Sequence, residues 1–399
     1  MKRRDKGISN AWSFLLGFVI LTVVVPGVLI GPARAVRLIG SAVSSTILQT
    51  PSQPEEVVAG GQQLPIVDIA DPGTELVIND IHFPIRSIGT AGDRTIIEID
   101  SSSRTPFGPF TKLVIESPGA DLLGGPLALW IAGRIGVPIP FHTLVQLHRD
   151  GSDVGVHQLK EYVDHTFERD RNLTGSDVNV VRVKDGLDPE IDPWGSTDHW
   201  DLPADGDAAK QFTSLIEVIN DSLITPADRR SQMELLIEVD AFNAFHAAAF
   251  MLGATREDPA SMVLVLDPRT LKYYPVLTDA PLVPSADGTI AGEGYLIEKR
   301  MMAISDWRSQ RDGLVKDALQ EIHASGAFDR KLTALSGSVR PSAKAVGNSR
   351  RPLFSMQGSA SSAGLQWSAD DIRKRVAAHW DRILPVVSGG TIPSDPVTP

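Results

Sequence analysis

Residues 240–279 constrain this chain more than any other stretch, because they run helix, acidic turn, hairpin, acid without interruption. Asp240 is suited to capping a helix, Phe242, Phe245, Ala249 and Phe250 fall on one face at helical spacing, and Gly253 supplies the stop. A polar turn from Thr255 to Pro259 comes next. Residues 262–279 then read as two short strands around Asp267-Pro268-Arg269-Thr270, with Asp279 where the second strand runs out. A hairpin returns the chain beside its own start, so this order carries Asp258 and Asp279 towards a common point. On local sequence alone each is also readable as a turn residue, Asp258 ahead of Pro259 and Asp279 ahead of Pro281, because Asp favours turns for its own backbone hydrogen bonds.

Composition narrows the classes. The 399 residues are 42% hydrophobic and 22% charged, a globular balance long enough for one large or two ordinary domains. A net charge of -11 with no basic stripe argues against a nucleic-acid partner, which needs cations to neutralise phosphates. Without cysteine there are no disulfides, thiolate chemistry or cysteine metal sites. The histidines show no His-Glu-x-x-His spacing, and no Gly-x-Ser-x-Gly elbow points to an esterase. His246, between aromatic neighbours, reads as a core histidine. The acidic segment 185–207 lacks the ordered ligands and glycine of a calcium loop and reads as a surface insertion.

At the N-terminus Lys2, Arg3, Arg4 and Lys6 precede an apolar run over residues 12–30, long enough to cross a bilayer as a helix. Positive charge stays on the cytoplasmic side, so the expected protein is single-pass in the cell membrane with its C-terminal domain outside. Pro32-Ala33-Arg34-Ala35 resembles a cleavage site, which leaves a secreted form as the alternative. The expected division is an anchor or signal at 1–37, a flexible Ser-, Gln-, Pro- and Gly-rich linker at 38–74, a folded domain at 75–385 and a tail at 386–399. Within the domain, helices are expected over 121–136, 207–223, from Thr225-Pro226 onward, 305–322 and 368–384, with a mobile loop at 336–364.

Residues 143–164 read as a hairpin turned by Asp150-Gly151. Here the chain shows Arg134-Ile135-Gly136-Val137, Asp150-Gly151, Gly155-x-His157-x-Leu159-x-Glu161 and Val163-Asp164. Together with the 240–279 block, these motifs resemble the CotH family, kinase-like proteins named after a spore-coat component, loosely from residue 76 to 385. The resemblance implies an α+β, two-lobed atypical protein-kinase-like fold, with a strand-rich N-terminal lobe and a helical C-terminal lobe, preceded here by the transmembrane helix. It implies Asp258 as the catalytic-loop acid, Asp279 as the metal-binding acid and Glu161 as the acid of the Gly-x-Tyr-x-Leu-x-Glu strand. The implied cofactors are ATP and Mg²⁺, with a protein substrate or envelope partner. For the basic residue on the nucleotide phosphates, Arg94, Lys112, Arg182 and Lys184 all stand as candidates, Lys184 lying near the family's Tyr-Lys. Two departures matter. His157 replaces a Tyr, and Ser261-Met262 stands where the family has His-Asn, exchanging an amide for a thioether that Mg²⁺ scarcely uses. Two functions are therefore open: transfer of phosphate from ATP to Ser or Thr of an envelope or exported protein, or a catalytically impaired envelope scaffold on the same fold.

Overall fold

Strand-forming residues dominate the first half of the domain. The computed structural model describes residues 64–388, apart from 71–73, 92–93, 101–104, 109, 118–121, 171–177, 185–186, 189–190, 254–261, 281, 283–293 and 347–368. Seven strands close into a barrel: β1 (Ile66–Ala70), β2 (Glu75–Ile78), β3 (Ile81–Ala91), β4 (Arg94–Ile99), β5 (Lys112–Glu116), β6 (His142–Arg149) and β7 (Ser152–Glu161). Their spatial order is β1-β2-β3-β4-β5-β7-β6, and β1 closes the ring by pairing antiparallel with β2 and parallel with β6. Alternate residues fill the interior, among them Val67, Leu76, Ile97, Leu113, Ile115, Val145 and Leu159. The β6–β7 turn has positive φ at both Asp150 (51°) and Gly151 (70°), the requirement of a tight hairpin turn that Asp-Gly meets.

A helix, α1 (Gly124–Ile135), sits in sequence between β5 and β6 and ends at Gly136, whose φ of 97° suits glycine. The second half holds α2 (Phe167–Asp170), β8 (Asn179–Val183), β9 (Trp200–Asp201), α3 (Gly206–Asn220), α4 (Pro226–Leu236), α5 (Val239–Leu252), β10 (Met262–Asp267) and β11 (Lys272–Leu277). It continues with α6 (Leu296–Met302), α7 (Ser305–Ala318), a π-helical stretch Leu319–Ala324, α8 (Ala327–Val346) and α9 (Ala369–Val387). A small sheet runs β11-β10-β8-β9. α4 starts where expected, with Thr225 capping ahead of Pro226, whereas α3 spans Gly206–Asn220 rather than the expected 207–223 and is capped by Asp205, whose carboxylate accepts from the Asp207 N–H. One core joins Leu127 and Ile131 of α1 to Ala247 and Met251 of α5, Leu332 of α8 and Trp380 of α9. So α1 belongs by packing to the helical half, although its neighbours in sequence are barrel strands.

Several expectations are revised. β1 lies inside the 38–74 linker, because Val67 and Ile69 alternate with Asp68 and are buried in the barrel. Residues 336–346, expected as mobile loop, continue α8: Leu332, Leu335 and Val339 recur at helical spacing and bury one face. Glu238, not Asp240, occupies the N-cap of α5, while Asp240 accepts a hydrogen bond from the Gln310 amide. The 185–207 segment is not merely a surface insertion. Trp194 and Trp200 are buried edge to face at 5.0 Å, and Asp192 caps a 3₁₀ turn while also accepting from the Leu296 N–H. α9 runs on to Val387, past the expected domain end. The proposed anchor at 1–37 and the tail from 389 lie outside the described residues, among which no helix is long and apolar enough to cross a membrane.

Candidate active site

β7 is hydrogen-bonded on both sides, to β5 and to β6, so beyond the register shift near Gly155 its side chains alternate between the two faces of the barrel wall. Leu159 points inward to the barrel core. Gln158 and Lys160 therefore point outward, where Gln158 stands opposite Glu116 and Lys160 opposite Val114 on β5. That register places Glu116, Gln158 and Lys160 on one surface. Lys160 has a side chain only 6% exposed, and its Nζ forms an ion pair with Glu116 Oε1. The same ammonium donates to the Thr278 carbonyl at 3.3 Å and lies 3.8 Å from Asp279 Oδ1. Arg94, directly opposite Glu116 on β4, reaches Glu116 Oε2 at 3.2 Å.

Asp279 arrives from the helical half. β11 ends at Leu277, whose N–H donates to Pro138 O at 3.0 Å, and this bond ties the strand end to the segment between α1 and β6. Asp279 is 41% exposed and Oδ1 accepts from the Ala280 N–H at 2.9 Å. Buried Ala280 and Leu282 anchor the chain just beyond the acid. A methyl group at Gly125, in the first turn of α1, would sit 3.5 Å from Gln158 Oε1 and 4.0 Å from Asp279 Oδ1, so the helix start, the strand and the acid share one small space. Burial pushes the Glu116 carboxyl above its ordinary range, against the pull of Lys160.

The residues singled out from the sequence divide. Asp279 stands at this cluster, and Arg94 touches it through Glu116. Glu161 is buried and accepts the Phe141 N–H at 3.1 Å, on the barrel side of the strand and away from Lys160. Arg182 on β8 places its guanidinium 4.8 Å over the Tyr162 ring. Lys184 is exposed beyond β8, its own N–H donating to His199 O. Lys112 pairs with Asp164 at 2.8 Å. Asp258 lies outside the described residues. Its loop ends at Met262, which pairs with Leu277, so β10 begins beside the strand end that carries Asp279. Met262 itself packs with Leu264, Trp194 and Phe242 in a core, and His246 is buried with its pKa pushed by burial down to about 3.

Sequence reasoning missed Lys160 and Glu116. Lys160 fills an unassigned position of Gly155-x-His157-x-Leu159-x-Glu161, and strand alternation alone would have put it on the face opposite Leu159. The donor set suits a metal-bound nucleotide. Mg²⁺ takes one or two carboxylates plus phosphate oxygens rather than a full protein cage, and Asp279 offers an accessible carboxylate beside a buried ammonium. Among the described residues no three or more His, Asp or Glu form a metal-holding group.

Residues 98–280 match the family model described as CotH kinase protein. Among solved structures, the crystal structure of a Helicobacter pylori proinflammatory kinase, CtkA, aligns over 81% of this chain and 97% of its own at 11% identity, with a TM-score of 0.31. No curated protein matches the sequence.

Proposed function

We propose, for a chain whose residues 98–280 match the family model described as CotH kinase protein, that this protein is an atypical protein kinase transferring phosphate from ATP to Ser or Thr of an envelope or exported protein. One observation carries the reading: Lys160 Nζ is buried between Glu116 and Asp279, a strand lysine held by one acid beside a second that faces solvent. Bound Mg²⁺–ATP would supply the phosphoryl group and the counter-charge for Asp279. Phosphoryl transfer needs little covalent chemistry from a protein, so positioning and charge neutralisation are the task. Glu116 holds the Lys160 ammonium in an ion pair, and Lys160 would present it to phosphate oxygens. Asp279 is the acid to hold the metal, and Asp258 would orient or accept the proton of the substrate hydroxyl. An N-terminal anchor would put this domain outside the cytoplasm, facing envelope proteins.

A second reading rests on Met262. Where the resemblance calls for a metal-holding amide, this side chain is 4% exposed in a hydrophobic core. A catalytically impaired protein using the same surface to bind an envelope partner is the consequence of that exchange. The full chain incubated with γ-labelled ATP and Mg²⁺ or Mn²⁺ separates the two. A kinase labels itself or a Ser/Thr-containing protein, and Lys160→Met, Asp279→Ala and Asp258→Ala each lower incorporation by roughly 10²-fold or more. No incorporation, with no rise in melting temperature on adding nucleotide, sinks the kinase reading.

A further inference from the structure

We propose that Arg311 on α7 is a positioning residue, holding the helix that leads into the Asp258 turn and the helix that follows Asp279 in one fixed relation. This rests on the kinase reading of those two acids and names the group that sets their spacing from behind. α5 ends at Gly253 and hands the chain to residues 254–261, which carry Asp258. α6, with Tyr295 at its N-cap, is the first helix described beyond Asp279. Arg311 touches both helices where they meet those stretches. Its guanidinium lies 4.7 Å over the ring of Phe250, in the last turn of α5, and 3.9 Å from Glu298 Oε1, in the first turn of α6. A cation at a helix C-terminus and an acid in a helix first turn each suit the dipole they face.

Neighbouring contacts narrow the arrangement to one register. Gln310, the residue before Arg311, accepts from the Asn243 amide at 2.7 Å and donates to Asp240, so polar groups as well as apolar packing tie α5 to α7. Asp312 holds the Nε edge of the Arg311 guanidinium at 2.7 Å. On the far side Glu298 folds back on the chain entering α6, where a Cβ at Gly294 would meet its Oε2 at 1.7 Å. The Arg311 and Glu298 side chains are 12% and 22% exposed, and burial raises the Glu298 carboxyl above its ordinary range. Withdrawing both charges from water offsets much of their attraction, so an apolar pair would serve stability as well. What the charges add is geometry, because apolar helix faces tolerate a shift that an ion pair and a chain of amides do not. Misplacement by about 1 Å, even when caused far from the reacting atoms, costs roughly 10²-fold in rate.

The test uses the full chain and two readouts: the rate of phosphate incorporation from γ-labelled ATP per folded molecule, and amide hydrogen exchange over residues 254–261 and 283–294. Arg311→Met combined with Glu298→Gln removes both charges and keeps side chains of similar length. Its melting temperature is expected to stay within about 4 °C of the wild type. Incorporation is expected to slow roughly tenfold or more, with the ATP concentration for half-maximal rate within about threefold, while exchange over both segments quickens at least about tenfold. Gly294→Ala presses Glu298 from the other side without touching Arg311, and is expected to move both readouts the same way by a smaller factor. Unchanged incorporation and exchange in both variants overturns the positioning role and leaves the kinase reading standing. A melting temperature lowered by more than about 10 °C, with the rate per folded molecule unchanged, makes Arg311 a packing residue only and overturns the role as well. Quickened exchange in a chain whose wild type transfers no phosphate supports the tie between the two helices and sinks the kinase reading.

Discussion

Lys112 on β5 and Lys160 on β7 stand on neighbouring strands of one barrel, and each meets a largely buried carboxylate. Asp164, the partner of Lys112, is fully engaged: Oδ2 accepts from the ammonium at 2.8 Å, while Oδ1 accepts from the Thr166 N–H and hydroxyl. The Lys160 cluster is built from the same chemical groups with a different balance. Glu116 takes the ammonium, and a second acid, Asp279, stands 3.8 Å off with 41% of its side chain exposed. A closed ion pair fixes the chain at the junction after β7. An open one keeps an accessible carboxylate beside a lysine that cannot move away. Lys112 has a second acid too, Glu98 at 4.0 Å with 27% of its side chain exposed, so the difference between a structural pair and a chemical site here is that the second acid of Lys160 is more open to solvent while the lysine itself is buried.

The pair of substitutions that presses hardest on this comparison is Lys160→Met against Lys112→Met. Lys160→Met is expected to lower phosphate incorporation by roughly 10²-fold or more, with a stability cost of about 1–2 kcal/mol, since Glu116 keeps Arg94 and can hold a proton. Lys112→Met leaves Asp164 without its cation and is expected to cost of order 3 kcal/mol in chemical denaturation. Incorporation per folded molecule should then stay within a few-fold of wild type. Equal loss of incorporation in both variants would erase the distinction between the pairs.

The two carboxylates should also answer to pH with opposite signs. Burial works to raise the Asp164 carboxyl, but Lys112 and Thr166 outweigh it and hold the group below its ordinary value of 3.8. The folded state then binds the proton less readily than the unfolded chain. Asp164 contributes stability that is complete above about pH 3.8 and is lost as pH falls through the lower folded value. Burial raises Glu116 above 4.5, with Lys160 opposing, so its contribution is complete below 4.5 and is lost as pH rises through the higher folded value. Melting temperature recorded against pH should show Asp164→Asn flattening the acid limb and Glu116→Gln flattening the limb above 4.5. Each slope is at most about 1.4 kcal/mol per pH unit. Two variants that flatten the same limb would show that the pairs are alike.

Legibility in the sequence tracks the range of the interactions involved. The Asp150-Gly151 turn and the helix stop at Gly253 announce themselves locally, because positive φ selects a few residue types within a few positions. The order of helix, turn, hairpin and Asp279 is legible for the same reason, and the hairpin forms as two paired strands. Lys160 is not legible, because its partners come from β5 and from the end of β11, and no local pattern marks a strand lysine as buried. β1 is hidden because two buried residues beside a Ser-, Gln- and Pro-rich stretch carry too weak an alternation, and its pairing with β6 is made far along the chain. The junction helix α1 is legible as a buried helix, but its allegiance to the helical half depends on α5 and α9, which come later.

Arg94 offers the smallest and most discriminating effect. It is a candidate for the phosphate-binding cation on sequence grounds, and the structure places it 3.2 Å from Glu116 with 43% of its side chain exposed. Arg94 and Lys160 share Glu116, yet of the two it is Lys160 that also reaches Thr278 and Asp279. If Arg94 serves to balance Glu116, then Arg94→Ala leaves the buried pair in place and allows Glu116 to hold its proton more readily. A half-exposed ion pair of this kind contributes at most about 1 kcal/mol. The expected result is a stability change within that range, less than a threefold change in the ATP concentration giving half-maximal incorporation, and a small upward shift of the Glu116 limb of the pH profile. A hundredfold loss of incorporation would instead assign the phosphate to Arg94, and the open cluster would then extend across β4 as well as β7.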